Sequence, residues 1–212
     1  MFYRNGNVSI KKGDHVWSFS DWSDEFKIEY DVIVNKELPG SSKSLFHLTT
    51  GENSGEGGRI PAVFLNPDKS FDTCYHVNGN TSYYKRYYYE LNKEYHFVIS
   101  QQKNSEGEAV YSINVNGETF HEVVNTTPLK FKDVKLYLSD PWHDTFAPFG
   151  RLSNLKVITD LTNDEDCAAV YKDGSWTDLQ CSGYLLASIC EVGKHISNHL
   201  EKIWTLHSFL IL

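Results

Sequence analysis

The chain has 212 residues, room for one sandwich-sized domain with an appendage or for two small domains. Hydrophobic residues make up 40% and charged residues 23%, an ordinary globular balance that argues against global disorder. The formal net charge of -8 argues against nucleic acid and against spontaneous attachment to anionic membranes, because both need clustered Lys and Arg.

The opening stretch MFYRNGNVSIKKGDHVW has no apolar core of a signal peptide. No run of about 18 apolar residues occurs anywhere, so no helix is expected to span a membrane. From there the first 158 residues read almost entirely as strands. Phe26 to Val34 begins with strict apolar–polar alternation, the period of a half-buried strand. Leu45 to Thr50, Ile60 to Leu65 and Ser70 to Val77 are further strands. The run Tyr83-Tyr84-Lys85-Arg86-Tyr87-Tyr88-Tyr89 has only two cations among its tyrosines and reads as a strand with exposed rings. Tyr95 to Ser100, Ala109 to Val115 and Thr119 to Val124 alternate again. Asn116-Gly117 lies between the last two, a dipeptide that accepts positive φ at both positions and signals a hairpin. Val134 to Leu138 and Leu152 to Val157 complete a set of about ten to twelve strands with no helix. This pattern predicts an all-β chain folded as an antiparallel β-sandwich or jelly roll.

Near residue 160 the pattern changes and cysteine density rises, which predicts a sandwich over 1–160, a second small unit over 161–192 and a tail over 193–212. In the tail, Ile196, Leu200, Ile203, Leu206 and Leu210 have helical spacing.

Several residues invite a chemical reading. Aromatics reach 14%, which suits pleated surfaces and equally suits stacking on the apolar faces of sugars. GENSGEGG, Gly51 to Gly58, lies between two strands and lacks a lysine, so it reads as a flexible loop and not as a phosphate cradle. Beside it, Arg59 has two readings: a grip on a carboxylate or sugar hydroxyl, or, the reading favoured, a pair with an Asp on a neighbouring strand. In Ser139-Asp140-Pro141-Trp142-His143-Asp144, Asp140 and Asp144 offer a shared cation site, with Trp142 and His143 facing a ligand. The plainer reading, again favoured, is a tight turn set by Asp-Pro. Glu29 with Asp31, and Glu118 with Glu122, share strand faces by spacing, yet no E-x-D-x-x-E or G-x-S-x-G motif accompanies them, so no enzyme is expected. Sequons occur at Asn7, Asn80 and Asn125, and each predicts an exposed loop in a secreted chain.

Residues 165–191 carry the most specific pattern: Glu165-Asp166-Cys167, Gly174-Ser175-Trp176-Thr177-Asp178, Cys181, then Ile189-Cys190-Glu191. In order and spacing this segment resembles the end of a C-type lectin domain. The resemblance implies a Cys167–Cys181 disulfide, calcium-ligand positions at Glu165 and Asp178, and Trp176 near a ligand. It also implies that the calcium site is incomplete. Thr177 stands where sugar binders carry Asn, and Val157-Ile158-Thr159 stands where a Glu-Pro-Asn triplet belongs. Two oxygen ligands do not hold calcium, so no cofactor is expected. Cys190 is left open: it pairs with Cys74, stays free or bridges to another chain.

Residues 10–158 contain Gly57-Gly58-Arg59-Ile60-Pro61 and Ser139-Asp140-Pro141-Trp142 in an order that resembles the concanavalin-A-like superfamily. More closely, they are similar to extracellular modules labelled farnesoic acid O-methyltransferase-like. That label implies a sandwich and not a methyltransferase, which would need a Gly-rich loop between strand and helix. The expected function is non-catalytic, lectin-like binding of glycans or glycoproteins outside the cell. The alternative is a structural or adhesive matrix module that binds proteins. A secreted module without a leader reads as an incomplete chain: a fragment, a truncated gene product or one module of a larger extracellular protein.

Overall fold

The computed structural model describes the backbone of residues 2–4, 10–159, 161, 167–170 and 176–179, and side chains over 10–159 and 161. Its strands are β1 (Phe2–Arg4), β2 (His15–Trp22), β3 (Phe26–Val34), β4 (Lys43–Thr49), β5 (Ala62–Asn66), β6 (Ser70–Val77), β7 (Asn80–Tyr88) and β8 (Glu94–Lys103). After these come β9 (Ala109–Val115), β10 (Glu118–Val124), β11 (Phe131–Tyr137), β12 (Asp144–Thr145), β13 (Gly150–Thr159), β14 (Cys167–Val170) and β15 (Trp176–Leu179). No helix occurs among the described residues. The chain divides into two units, Met1–Leu161 and Thr162–Leu212.

The first unit is a two-sheet β-sandwich. One sheet runs β1-β13-β3-β8-β9-β10; the other runs β2-β11-β4-β5-β6-β7, with β12 added beside β4. Every pairing is antiparallel except the two-residue β12–β4 contact. The core lies between the sheets. Phe26, Ile28, Tyr30 and Val32 of β3 face Phe46, Leu48 and Phe71 of the second sheet and Phe97 and Ile99 of the first. Tyr30 stacks on Phe97 at 5.2 Å and meets Phe46 edge-on at 5.1 Å. A ring buried here removes 150–250 Å² from water, so these few aromatics dominate the sandwich's stability.

Local chemistry sets the corners. Asn116-Gly117 turns β9 into β10 with φ of 53° and 86°, as the dipeptide predicts, and Asn78-Gly79 does the same between β6 and β7 with 52° and 76°. The β9–β10 ladder shifts register between Thr119 and His121. Glu118 therefore lies opposite Val115, on the core-facing row, while Glu122 lies opposite Ser112, on the outward row. The expectation that these glutamates share a face is corrected: one bulged residue inverts a strand's alternation.

The second expectation to be corrected concerns Asn125. It does not sit on an exposed loop but is 2% exposed, with every polar capacity used. Its Nδ2 donates to the His76 carbonyl and to Gln101 Oε1, and its Oδ1 accepts from the backbone N–H of Asn78 and Thr127. Asn80, by contrast, is exposed. Asn7 lies outside the described residues.

In the second unit, β14 and β15 pair antiparallel, with Ala168 opposite Asp178 and Val170 opposite Trp176. Glu165, Cys181, Cys190 and the tail over 193–212 lie outside the described residues. So do the Cys167–Cys181 disulfide and the C-terminal helix expected there.

Candidate functional site

β4, β5 and β6 are buried along almost their whole length, β4 and β5 at every position. Strands in a two-layer sandwich bury one face; these bury two. The outer face is covered by two loops, residues 50–61 after β4 and residues 138–149 after β11. Beneath them lies a separate small apolar cluster, Ala62, Phe64 and Cys74.

Asp140 fastens the two loops. Its Oδ1 accepts from the backbone N–H of Trp142 (2.9 Å) and His143 (2.7 Å), which makes the Asp-Pro-Trp-His turn. Its Oδ2 accepts from His47 Nδ1 at 2.8 Å and from His143 Nδ1 at 2.9 Å. Across the ring, His47 Nε2 meets the carbonyl of Gly58 in the other loop. Both nitrogens of His47 therefore face acceptors, and both bonds form together only when both nitrogens carry hydrogen. Burial alone would push the Asp140 carboxyl up; the hydrogen bonds from His143 and His47 outweigh it and hold the group well below the usual carboxylate range. The turn reading of this motif fits, and the shared-cation reading is corrected. Asp140 is enclosed by two histidines, and Asp144 turns away to Lys43 (3.1 Å) and Lys12 (3.6 Å). No group of three or more His, Cys, Asp or Glu that could hold a metal occurs among the described residues.

The Gly-rich loop is closed by hydrogen bonds, where the sequence suggested a flexible one. Thr50 and Gly57 share a backbone bond of 2.9 Å, Gly58 donates to Gly55, and Thr49 Oγ1 donates to the Glu52 carbonyl. Gly58 is required by space: a Cβ there would stand 2.5 Å from the backbone of Ser54. The Ile60–Pro61 peptide that follows is cis.

Arg59 leaves this loop over the Phe64 ring, its guanidinium carbon 5.3 Å from the centroid. Its Nε donates to the Asn53 carbonyl at 3.0 Å, and Nη1 lies 3.9 Å from Cys74 Sγ. The expected pair with an Asp does not form. Asp72, the nearest candidate on β6, is held bidentately by Arg86 at 2.7 and 2.8 Å. Arg59 makes no ion pair among the described residues. Burial pushes the Cys74 thiol up to about 11, and Arg59 pulls weakly the other way. Cys74 forms no disulfide.

Of the four sequence candidates, Arg59 and His143 meet over the Phe64 ring, which sequence reasoning missed, and Trp142 lies against His47 beside them. The His143 ring lies 4.7 Å from Phe64, His47 5.8 Å from Phe64, and Trp142 5.4 Å from His47. Trp142 is 37% exposed. On the adjacent edge strand, Tyr84 pairs opposite Cys74 and Tyr88 opposite Ser70, so their rings share this outer face, 54% and 65% exposed. The alternation of the tyrosine run signalled a face, but nothing in it named the neighbour. Trp176 is placed only as a backbone position in β15.

A concavity of about 520 Å³ lies elsewhere, on the outer face of β8, β9 and β10, lined by Ser100, Gln102, Val110, Ser112, Glu122 and Val124 among others. No aromatic side chain lines it.

No family model matches the chain, and no curated protein matches it. Among solved structures, it is similar to a SAP-like pentraxin from Limulus polyphemus, at 10% identity and a TM-score of 0.46, over 84% of this chain and 91% of that one. It is also similar to the galectin LEC-6 of Caenorhabditis elegans, at 14% identity and a TM-score of 0.39, over 74% and 94%. A third is the sialidase of Trypanosoma rangeli, at 14% identity and a TM-score of 0.44, over 63% of this chain and only 20% of the sialidase. The likeness is one of β-sandwich architecture and goes no further.

Proposed function

We propose that this protein is a non-catalytic module that binds carbohydrate or glycoconjugate outside the cell, and that its glycan surface is the outer face of β4 to β7 with Trp142 at its centre. The observation that carries this reading is the pairing of exposed, positioned rings with positioned polar groups. Trp142 and Tyr84 offer flat apolar faces, as a sugar's own apolar face requires. Arg59 supplies donors and His143 a ring nitrogen, their orientation fixed by Asn53 and Phe64 and by Asp140. Because both loops are fastened before any ligand arrives, little freedom remains to be lost on binding. The finer assignments belong to the same reading: a concanavalin-A-like sandwich close to the farnesoic acid O-methyltransferase-like modules, a C-type-lectin-like end with a Cys167–Cys181 disulfide, and glycosylation at Asn7 and Asn80. With Glu165 and Asp178 alone as calcium positions, binding is independent of calcium.

The test is a glycan array on the full chain, with and without a chelator, repeated for Trp142→Ala. Glycan binding that survives chelation and is lost in Trp142→Ala supports the reading. Binding lost on chelation moves the site to the second unit. A chain that binds no glycan but captures matrix proteins supports the adhesive alternative, which the exposed Tyr88 and Phe120 on the edge strands β7 and β10 favour.

A further inference from the structure

Three arginine side chains are described: Arg59, Arg86 and Arg151. Arg86 is paired with Asp72 and Asp68, and Arg151 with Glu94. Arg59 is the exception. It is half-buried, pinned at Nε by a carbonyl and laid on an aromatic ring, yet among the described residues it makes no ion pair with a carboxylate. The acids nearest to it in the chain and on the sheet are accounted for. Asp140 is taken by His47 and His143, Asp72 by Arg86, and Glu52 and Glu56 of its own loop are exposed and make no ion pair. A guanidinium that is partly desolvated and without an ion pair is costly to the fold; with Nε on the Asn53 carbonyl and Nη1 3.9 Å from Cys74 Sγ, the N–H donors left over, those of Nη2 among them, are available to a carboxylate. The exposed rings of Trp142 and Tyr84 lie on the same face.

We infer that the glycan this face takes carries a carboxylate, as hexuronates and sialylated glycans do, and that Arg59 grips that group while the rings hold the sugar. This rests on the glycan reading above and adds the class of ligand. His143 stands beside Phe64; Arg86, on the same outer row of β7 as Tyr84, is already neutralised by Asp72 and Asp68, so the unmatched charge of this face is that of Arg59. The chain's overall charge of -8 means that this cationic spot is a local feature and not a general one.

The test uses the full chain and matched probes that differ only in charge: tetragalacturonate and sialyllactose, each beside its methyl ester. Titration calorimetry on the wild type is expected to show the acids binding about tenfold or more tighter than the esters, the worth of a charge-assisted two-point contact. In Arg59→Gln that ratio falls to about one; Arg59→Lys, which keeps charge but not the fork, falls between. Trp142→Ala weakens acid and ester alike. If the wild type binds acid and ester equally, the carboxylate inference is overturned while the glycan reading stands. Failure to bind any glycan overturns both. Because the acid-to-ester ratio is read on the wild type, a variant that fails to fold does not remove the test.

Discussion

On the six-stranded sheet, β3 alternates buried and half-exposed from Phe26 to Val34; on the seven-stranded sheet, β4 is buried at every position from Lys43 to Thr49. The outer face of the first is polar and open to water. Asp31 bonds His96 at 2.7 Å and accepts from Asn154, Arg151 reaches Glu94, and Ser100 meets Ser112. The outer face of the second is roofed by two loops whose polar groups converge on one buried carboxylate. Similar polar chemistry, a histidine against an aspartate, occurs on both faces with different consequences. Where water competes, the pair is a surface contact of little weight; where loops exclude water, it fastens one loop to the other.

The largest effect expected from this difference is at Asp140. Asp140→Ala strips the acceptor from His47, His143 and two backbone donors. We expect a loss of about 3–5 kcal/mol by urea unfolding, the scale of a broken buried pair. A loss under about 1 kcal/mol would mean that the loops are held by something else. The same carboxyl predicts a pH dependence. Its folded value is depressed, so its contribution is fully present above the unfolded value of about 3.9 and is lost as pH falls below that. Wild-type stability should therefore fall with acid below about pH 4 more steeply than that of Asp140→Asn.

Next in size is Asn125→Ala, which leaves two part-buried N–H donors, a buried carbonyl and Gln101 without partners, for about 1–3 kcal/mol. In a glycosylating host, peptide mass mapping should find sugar on Asn80 and none on Asn125. Sugar on Asn125 of folded protein would falsify the burial described here.

Cys74 reports on the roof itself. Its raised titration leaves roughly a hundredfold less thiolate near neutral pH than a free cysteine has, so labelling by a thiol reagent should be slow in the native protein and restored in urea. Asp140→Ala should speed it. Equal labelling in the two proteins would show that the roof does not depend on Asp140. The smallest effect belongs to the open face: Asp31→Asn should cost about 0–1 kcal/mol, and less at high salt. A cost as large as that at Asp140 would erase the contrast between the two faces.

Strand alternation in β3, β8 and β9 was legible in the sequence because one face meets water and the other the core, and a period of two records that. The Asn116-Gly117 turn was legible for an equally local reason, its φ values. The bulge between Thr119 and His121 was not, since a register shift depends on the partner strand; with it went the reading of Glu118 and Glu122. Asn125 reads as a sequon in one dimension and as a core polar residue in three, because its partners His76 and Gln101 lie on other strands. The site shows the same division. Arg59, Trp142 and His143 stood out by residue type beside Gly and Pro, but nothing short-range brings positions 59, 64 and 142 together. The sequence by itself determined an all-β chain, its turns and its chemically pointed loops, since these depend on neighbours a few residues away. Only the tertiary structure decided that Phe64 would lie beneath Arg59 and His143, that Asp140 would join the two loops and that Arg59 would make no ion pair among the described residues. Those outcomes depend on which strands pair and which loops fold over them.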